Sequence, residues 1–129
     1  MVVGLGVDVF DVGRVEAKLQ PRDSAFLQQV FTPAEMADCE VQPRPAAHYA
    51  ARFAAKEAVL KALAPPVEAE VPLVWRDIDI RRARDGRHDV VLHGPARALA
   101  ERRGVTRILR SITLARGLAL ASAVLEAQA

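Results

Sequence analysis

The chain has 129 residues, enough for one domain with a modest core of its own, and residues 1–129 are expected to form a single one. It is 51% hydrophobic and 26% charged, with no apolar run near the ~18 residues of a membrane span, and its net charge of +2 is made mostly of arginine, which suits phosphates or acidic proteins. Nucleic acid is disfavoured, because no basic segment is interleaved with aromatics; the lone Cys39 excludes an internal disulfide and, with no signal-type leader, a cytoplasmic location is expected.

Residues 2–9 alternate as a strand does. Val3, Leu5, Val7 and Val9 face one side; Gly4, Gly6 and Asp8 face the other. Glycine inside a strand marks close approach by a ligand or another backbone, here beside a carboxylate. Asp11 is placed to cap a short helix running to Leu19, with Val12, Val15 and Leu19 on its buried side. Arg14 and Lys18 lie one turn apart on another side, and Arg22 follows Pro21. They form either a solvated basic face or a docking face for an acidic helix. A second short helix begins near Asp23 or Ser24 and turns Phe26, Leu27 and Val30 inward. Thr32-Pro33-Ala34-Glu35 opens a third, with a Thr cap, proline at the first position and Glu three residues after the cap. Cys39 has no base spaced to activate it and reads as a packing residue. Residues 41–45, with two prolines, form a loop.

Residues 49–63 form the middle of one long helix, bounded by Pro45 and by Pro65-Pro66. Tyr49, Phe53, Leu60 and Leu63 make an apolar stripe at helical spacing. Lys56 falls within that stripe and Glu57 borders it. Opposite charges there are either a surface ion pair or a buried set that needs a partner, a metal or a phosphate. A connector follows at 65–72. Ile78 and Ile80 alternate with polar neighbours as a strand, Asp85-Gly86 turns the chain, and Val90 and Leu92 lie on the return strand. Arg76, Arg81, Arg82, Arg84 and Arg87 cluster about this hairpin, as a solvated face or an anion site. Gly94-Pro95 opens a helix that Gly104 closes. Strands at 107–115 and 118–125 flank a turn at Gly117. The three histidines have no zinc-type spacing. The order of elements predicts an α+β domain, with a mostly antiparallel sheet packed on one long helix and several short helices around it.

Gly4-Leu5-Gly6-Val7-Asp8 with Arg14, and Arg52-Phe53-Ala54-Ala55-Lys56-Glu57-Ala58 with Lys61-Ala62, together resemble the holo-acyl-carrier-protein synthase family of small 4′-phosphopantetheinyl transferases. That family pairs a Gly-x-Asp strand end with a Phe-x-x-Lys-Glu-Ala-x-x-Lys-Ala helix at this separation. Thr32-Pro33-Ala34-Glu35, Asp85-Gly86-Arg87 and Ser111-Ile112-Thr113 resemble its further segments, so the likeness spans nearly the whole chain. Two departures stand out: His88 where the family hairpin usually has proline, and Leu114-Ala115 where many members carry a polar pair. The resemblance implies the 4′-phosphopantetheinyl transferase fold. It implies transfer of phosphopantetheine from coenzyme A to a serine of an apo acyl carrier protein, as in fatty acid biosynthesis, with release of adenosine 3′,5′-bisphosphate. Asp8 and Glu57 are then the ligands of a catalytic Mg2+, with Glu57 the better candidate base. Arg52, Lys56 and Lys61 are candidates for the coenzyme A phosphates, with Arg87 and Thr113 as further ones. Arg14, with Lys18 and Arg22, is a candidate to receive the acidic helix of the carrier protein. Family members of this size are homotrimers with each site between subunits. Two other readings stay open on sequence alone: a relative that keeps the fold without the activity, and a basic module that binds anions without metal.

Overall fold

A computed structural model describes residues 1–19, 24–65 and 73–128. Arg22 and nearly all of the 65–72 connector lie outside the described residues. Strand β1 (Val2–Asp11) leads into four helices: α1 (Val12–Leu19), α2 (Ser24–Val30), α3 (Pro33–Glu40) and the long α4 (Pro45–Leu63). A 3₁₀ turn (Trp75–Asp77) then enters the hairpin of β2 (Ile78–Arg82) and β3 (His88–Leu92). Helix α5 (Gly94–Arg102) follows, and β4 (Val105–Ala115) and β5 (Leu118–Ala127) end the fold. Among the described residues all strand pairing is antiparallel, as the order of elements predicts, but it is divided between two sheets. One has the order β1-β5-β4; the other is the β2-β3 hairpin.

Helix α4 lies between these layers. Its apolar stripe turns toward α3 and the β2 side, where Tyr49 meets Phe31 at 4.8 Å between ring centroids. Its opposite side is alanine: Ala51, Ala54, Ala55, Ala58 and Ala62, all buried. That side lies on the three-stranded sheet, against Ala119, Ala121, Ala123 and Leu125 of β5. Periodicity located the stripe but not this second contact, since alanine carries little hydrophobic signal. The helix is therefore covered nearly all round.

The glycines of β1 make the close approach possible, and the approaching group is the helix backbone. A Cβ at Gly4 would stand 2.3 Å from the Ala62 carbonyl oxygen, and one at Gly6 1.8 Å from that of Ala58. Neither oxygen can retreat without moving α4. Gly6→Ala is accordingly expected to cost about 3 kcal/mol or more, by the usual scale of overpacking. A denaturant midpoint close to that of the unsubstituted chain would show that the strand and helix are not held this tightly.

The C-terminus of α4 is fixed to the same strand. The Arg103 guanidinium donates to the Ala62 and Leu63 carbonyls, at 3.0 and 2.6 Å, and also to the Val3 carbonyl. A cation there satisfies orphan carbonyls and opposes the negative end of the helix dipole. The outer face of the sheet is different. Leu5, Val7 and Val9 of β1, Leu118 and Leu120 of β5 and Leu109 of β4 stand exposed on it.

Candidate active site

Asp8 sits near the end of β1, on the glycine side that faces α4. Strand and helix run past each other in opposite directions: Gly4 is opposite Ala62, Gly6 opposite Ala58, and Phe10 opposite Phe53, with ring centroids 4.5 Å apart. Asp8 falls between the last two positions. The Lys61 ammonium donates to its Oδ1 at 2.9 Å and to the Val7 carbonyl at 3.0 Å. Glu57 lies one turn before Lys61, so the lysine bound to Asp8 is the surface neighbour of Glu57. Asp8 is mostly shielded, with 15% of its side chain exposed, whereas Lys61 is 53% exposed. Glu57 is half-buried and accepts a hydrogen bond at Oε1 from the indole N–H of Trp75. The indole lies against Phe53, with centroids 5.7 Å apart.

Lys56 departs from the expected phosphate contact. It is fully buried, and its three donors are taken: Glu35 Oε1 at 2.7 Å, the Ile78 carbonyl at 2.5 Å and the Trp75 carbonyl at 3.0 Å. An ammonium has no further N–H to offer a phosphate. Burial pushes its pKa down, and the Glu35 carboxylate opposes that shift. The buried charge in the apolar stripe is thus paired, but with a residue the sequence marked only as a helix-cap partner. Glu35 does cap: its Oε1 accepts from the Thr32 backbone at 2.8 Å, and Thr32 Oγ1 accepts from the Glu35 N–H at 3.2 Å. Its Oε2 also accepts from the Ile80 N–H at 3.0 Å. One carboxylate thereby joins α3, α4 and β2.

Next to it, Asp79 is buried and accepts hydrogen bonds from Thr32 Oγ1 at 3.1 Å and Arg81 Nε at 2.9 Å, with His93 Nε2 at 3.1 Å. Burial raises its pKa, but these partners outweigh burial and hold the carboxyl below its usual range.

The remaining phosphate candidates lie elsewhere in the chain. Arg52 is almost fully buried on another side of α4, with Asp38 at 3.5 Å and its Nε without a hydrogen-bond partner. Burial pushes the nearby Cys39 thiol up to about 12, with Arg52 opposing, so the thiol is inert as the sequence suggests. His88 is held below its usual value by burial first and then by Arg52 and Arg82. Arg87, His88, Arg110 and Ile112 line one open pocket, and Arg87 itself is exposed at the hairpin end. Thr113 faces outward from β4, opposite Leu120, on the apolar side of the sheet, while Asp8 faces the helix side. Within one chain, Arg87 and Thr113 therefore do not join Asp8 and Glu57. The docking candidates Arg14 and Lys18 are exposed on α1, stacked over Phe10 at 5.6 Å and Phe26 at 6.0 Å.

Little in the sequence marks Trp75. The one signal available was that the chain's single tryptophan precedes a strand whose partner helix carries the charged pair. No helix among the described residues is long and apolar enough to cross a membrane.

A family model described as the 4′-phosphopantetheinyl transferase superfamily matches residues 4–122. A holo-[acyl-carrier-protein] synthase of Syntrophus aciditrophicus is 42% identical over 126 residues, covering 98% of this chain and 97% of that protein. The holo-ACP synthase of Plasmodium yoelii has a solved structure that superposes with a TM-score of 0.83 at 29% identity, covering 100% of this chain and 98% of that one. That of Bacillus anthracis, solved in complex with CoA (3′,5′-ADP), superposes with a TM-score of 0.77 at 27% identity, and 99% of each chain is covered.

Proposed function

The chain belongs to the 4′-phosphopantetheinyl transferase superfamily, so the activity to account for is transfer of 4′-phosphopantetheine from coenzyme A to a serine of an apo acyl carrier protein, and we propose that Asp8 and Glu57 carry it. The observation behind this is the Lys61 bridge. It brings the strand carboxylate to the edge of α4 that bears the helix carboxylate.

Two carboxylates on facing elements are hard oxygen donors. They fit a cation such as Mg2+, which binds through one or two carboxylates and keeps water and substrate oxygens as its other ligands. When bound, that ion supplies charge neutralisation on the pyrophosphate. The chain's own residues do the rest. The serine oxygen attacks the phosphorus that carries the pantetheine arm, and the bond from that phosphorus to the bridging oxygen breaks. Adenosine 3′,5′-bisphosphate leaves with that oxygen. Glu57 is the group to take the serine proton. Lys61, half-exposed beside Asp8, can turn an N–H toward the pyrophosphate, as was expected of it. Arg52 is paired with Asp38 and almost fully buried, its Nε included, so within one chain it offers the pyrophosphate no open N–H. Lys56 binds no phosphate here and instead holds the wall behind Glu57. Positioning and neutralisation of this kind are the main sources of rate in phosphoryl transfer.

The single domain works as a homotrimer in this reading. Its exposed apolar sheet face supports that, as does the separation of Arg87 and Thr113 from Asp8 within one chain. A neighbouring subunit would bring the second group to the first.

The test is mass spectrometry of an apo acyl carrier protein after incubation with this protein, coenzyme A and magnesium. The expected result is one phosphopantetheine added to serine and lost with chelator. An unchanged mass across several carriers would overturn the proposal. Arg14 and Lys18, with Arg22, are taken to receive the acidic helix of the carrier. Arg14→Glu is therefore expected to raise KM for the carrier several-fold and leave KM for coenzyme A nearly unchanged. Added salt should shrink the difference, since exposed charges are screened. Equal changes in both constants would count against docking at α1.

A further inference from the structure

We propose that Trp75 is a positioning residue for Glu57: its indole N–H holds the carboxylate in the orientation from which it ligates a divalent cation, and the indole senses that ligation. This rests on the reading that Glu57 is such a ligand.

Three contacts fix the indole. Its backbone carbonyl is held by the Lys56 ammonium at 3.0 Å, and the same ammonium holds the Ile78 carbonyl at the far end of the 3₁₀ turn. Its ring lies against Phe53, tilted by 40°. Its Nε1–H meets Glu57 Oε1. Lys56 and Glu57 are consecutive residues of α4. One grips the backbone of the turn from the buried side, and the other meets the side chain of the turn at the surface. The donor direction is thereby set by the core and not by the mobility of a surface loop.

An indole N–H can only donate, so it orients a carboxylate without competing for the cation. It engages one carboxylate oxygen and leaves the direction of the other defined. Groups that orient a metal ligand in this way typically govern affinity by about 10–100-fold. The arrangement also assigns a use to the buried lysine. Lys56 holds the backbone from which the orienting donor projects.

The experiment measures Mn2+ binding with coenzyme A present and carrier protein omitted, so that no turnover occurs. Trp75→Phe keeps an aromatic ring beside Phe53, though a smaller one, and removes the donor. Its Mn2+ affinity is expected to fall about tenfold, with the melting temperature and the affinity for coenzyme A nearly unchanged. Because the chain has one tryptophan, its fluorescence in the unsubstituted protein should also change on titration with Mg2+ and saturate with metal binding. That second readout needs no variant to fold. An unchanged Mn2+ affinity in Trp75→Phe, or a silent fluorescence titration while Mn2+ binds, would overturn the proposal. Glu57→Gln separates the two levels. If it binds Mn2+ as the unsubstituted protein does, Glu57 is not a ligand and the underlying reading fails. If it loses Mn2+ while Trp75→Phe does not, only the positioning role fails.

Discussion

Glu57→Gln is expected to lower kcat by about 10³-fold, within the range for loss of a general base, and to leave the fold intact. The amide keeps an oxygen to accept from Trp75, and the side chain is only half-buried, so the melting temperature should hardly move. What the substitution removes is a negative charge and the ability to accept the serine proton. Both losses fall on the transition state more than on substrate binding, so kcat should drop further than KM for coenzyme A rises. Asp8→Asn makes a useful contrast. It also removes a carboxylate charge, but it weakens the ion pair with Lys61, so its effects should extend to stability. The measurement is initial rate of carrier modification at saturating magnesium and coenzyme A. A kcat within threefold of the unsubstituted protein for Glu57→Gln would assign the proton transfer to another group.

Much of this site can be read along the chain, because its parts depend on local rules. The Gly-x-Gly-x-Asp alternation places the glycines and Asp8 on one face of a strand, and β1 has that pattern. The Thr32 cap forms with both of its reciprocal hydrogen bonds. Other parts depend on what covers each face, and periodicity does not carry that. Val7 and Leu5 look like core residues but stand exposed, while the glycines opposite them are the ones against the helix. Lys56 is identifiable as a charge out of place. Its partner Glu35 lies 21 positions away and already has a sufficient local explanation as a cap, so nothing in the local pattern points to the pair. Trp75 and Asp79 acquire their roles only when the hairpin folds back on α3 and α4.

Lys56→Met tests how much of the site's rigidity comes from that hidden pair. Methionine fits the stem of lysine, but it leaves the Glu35 carboxylate buried without its cation and two carbonyls, of Trp75 and Ile78, without their donor. Removing one member of a buried ion pair typically costs about 3–5 kcal/mol, which in a chain of this size corresponds to a fall of roughly 10–20 °C in melting temperature. Replacing Glu35 by Gln in the same chain removes the uncompensated charge and keeps one oxygen, which can accept from the Thr32 or the Ile80 N–H but not from both. The double variant should therefore be more stable than Lys56→Met alone. The pH dependence has a definite sign. Burial holds the folded pKa of Lys56 below its ordinary 10.5. Between those two values the unfolded chain binds more protons, so this residue's contribution rises with pH there and is constant below the folded value. The stability difference between the unsubstituted chain and Lys56→Met should thus grow as pH climbs from the lowered folded pKa of Lys56 toward 10.5. Urea denaturation at several pH values measures it. A single variant no less stable than the double would mean that the Glu35 charge finds another partner once Lys56 is gone; a single variant as stable as the unsubstituted chain would mean that the turn bearing Trp75 is not anchored through this ammonium.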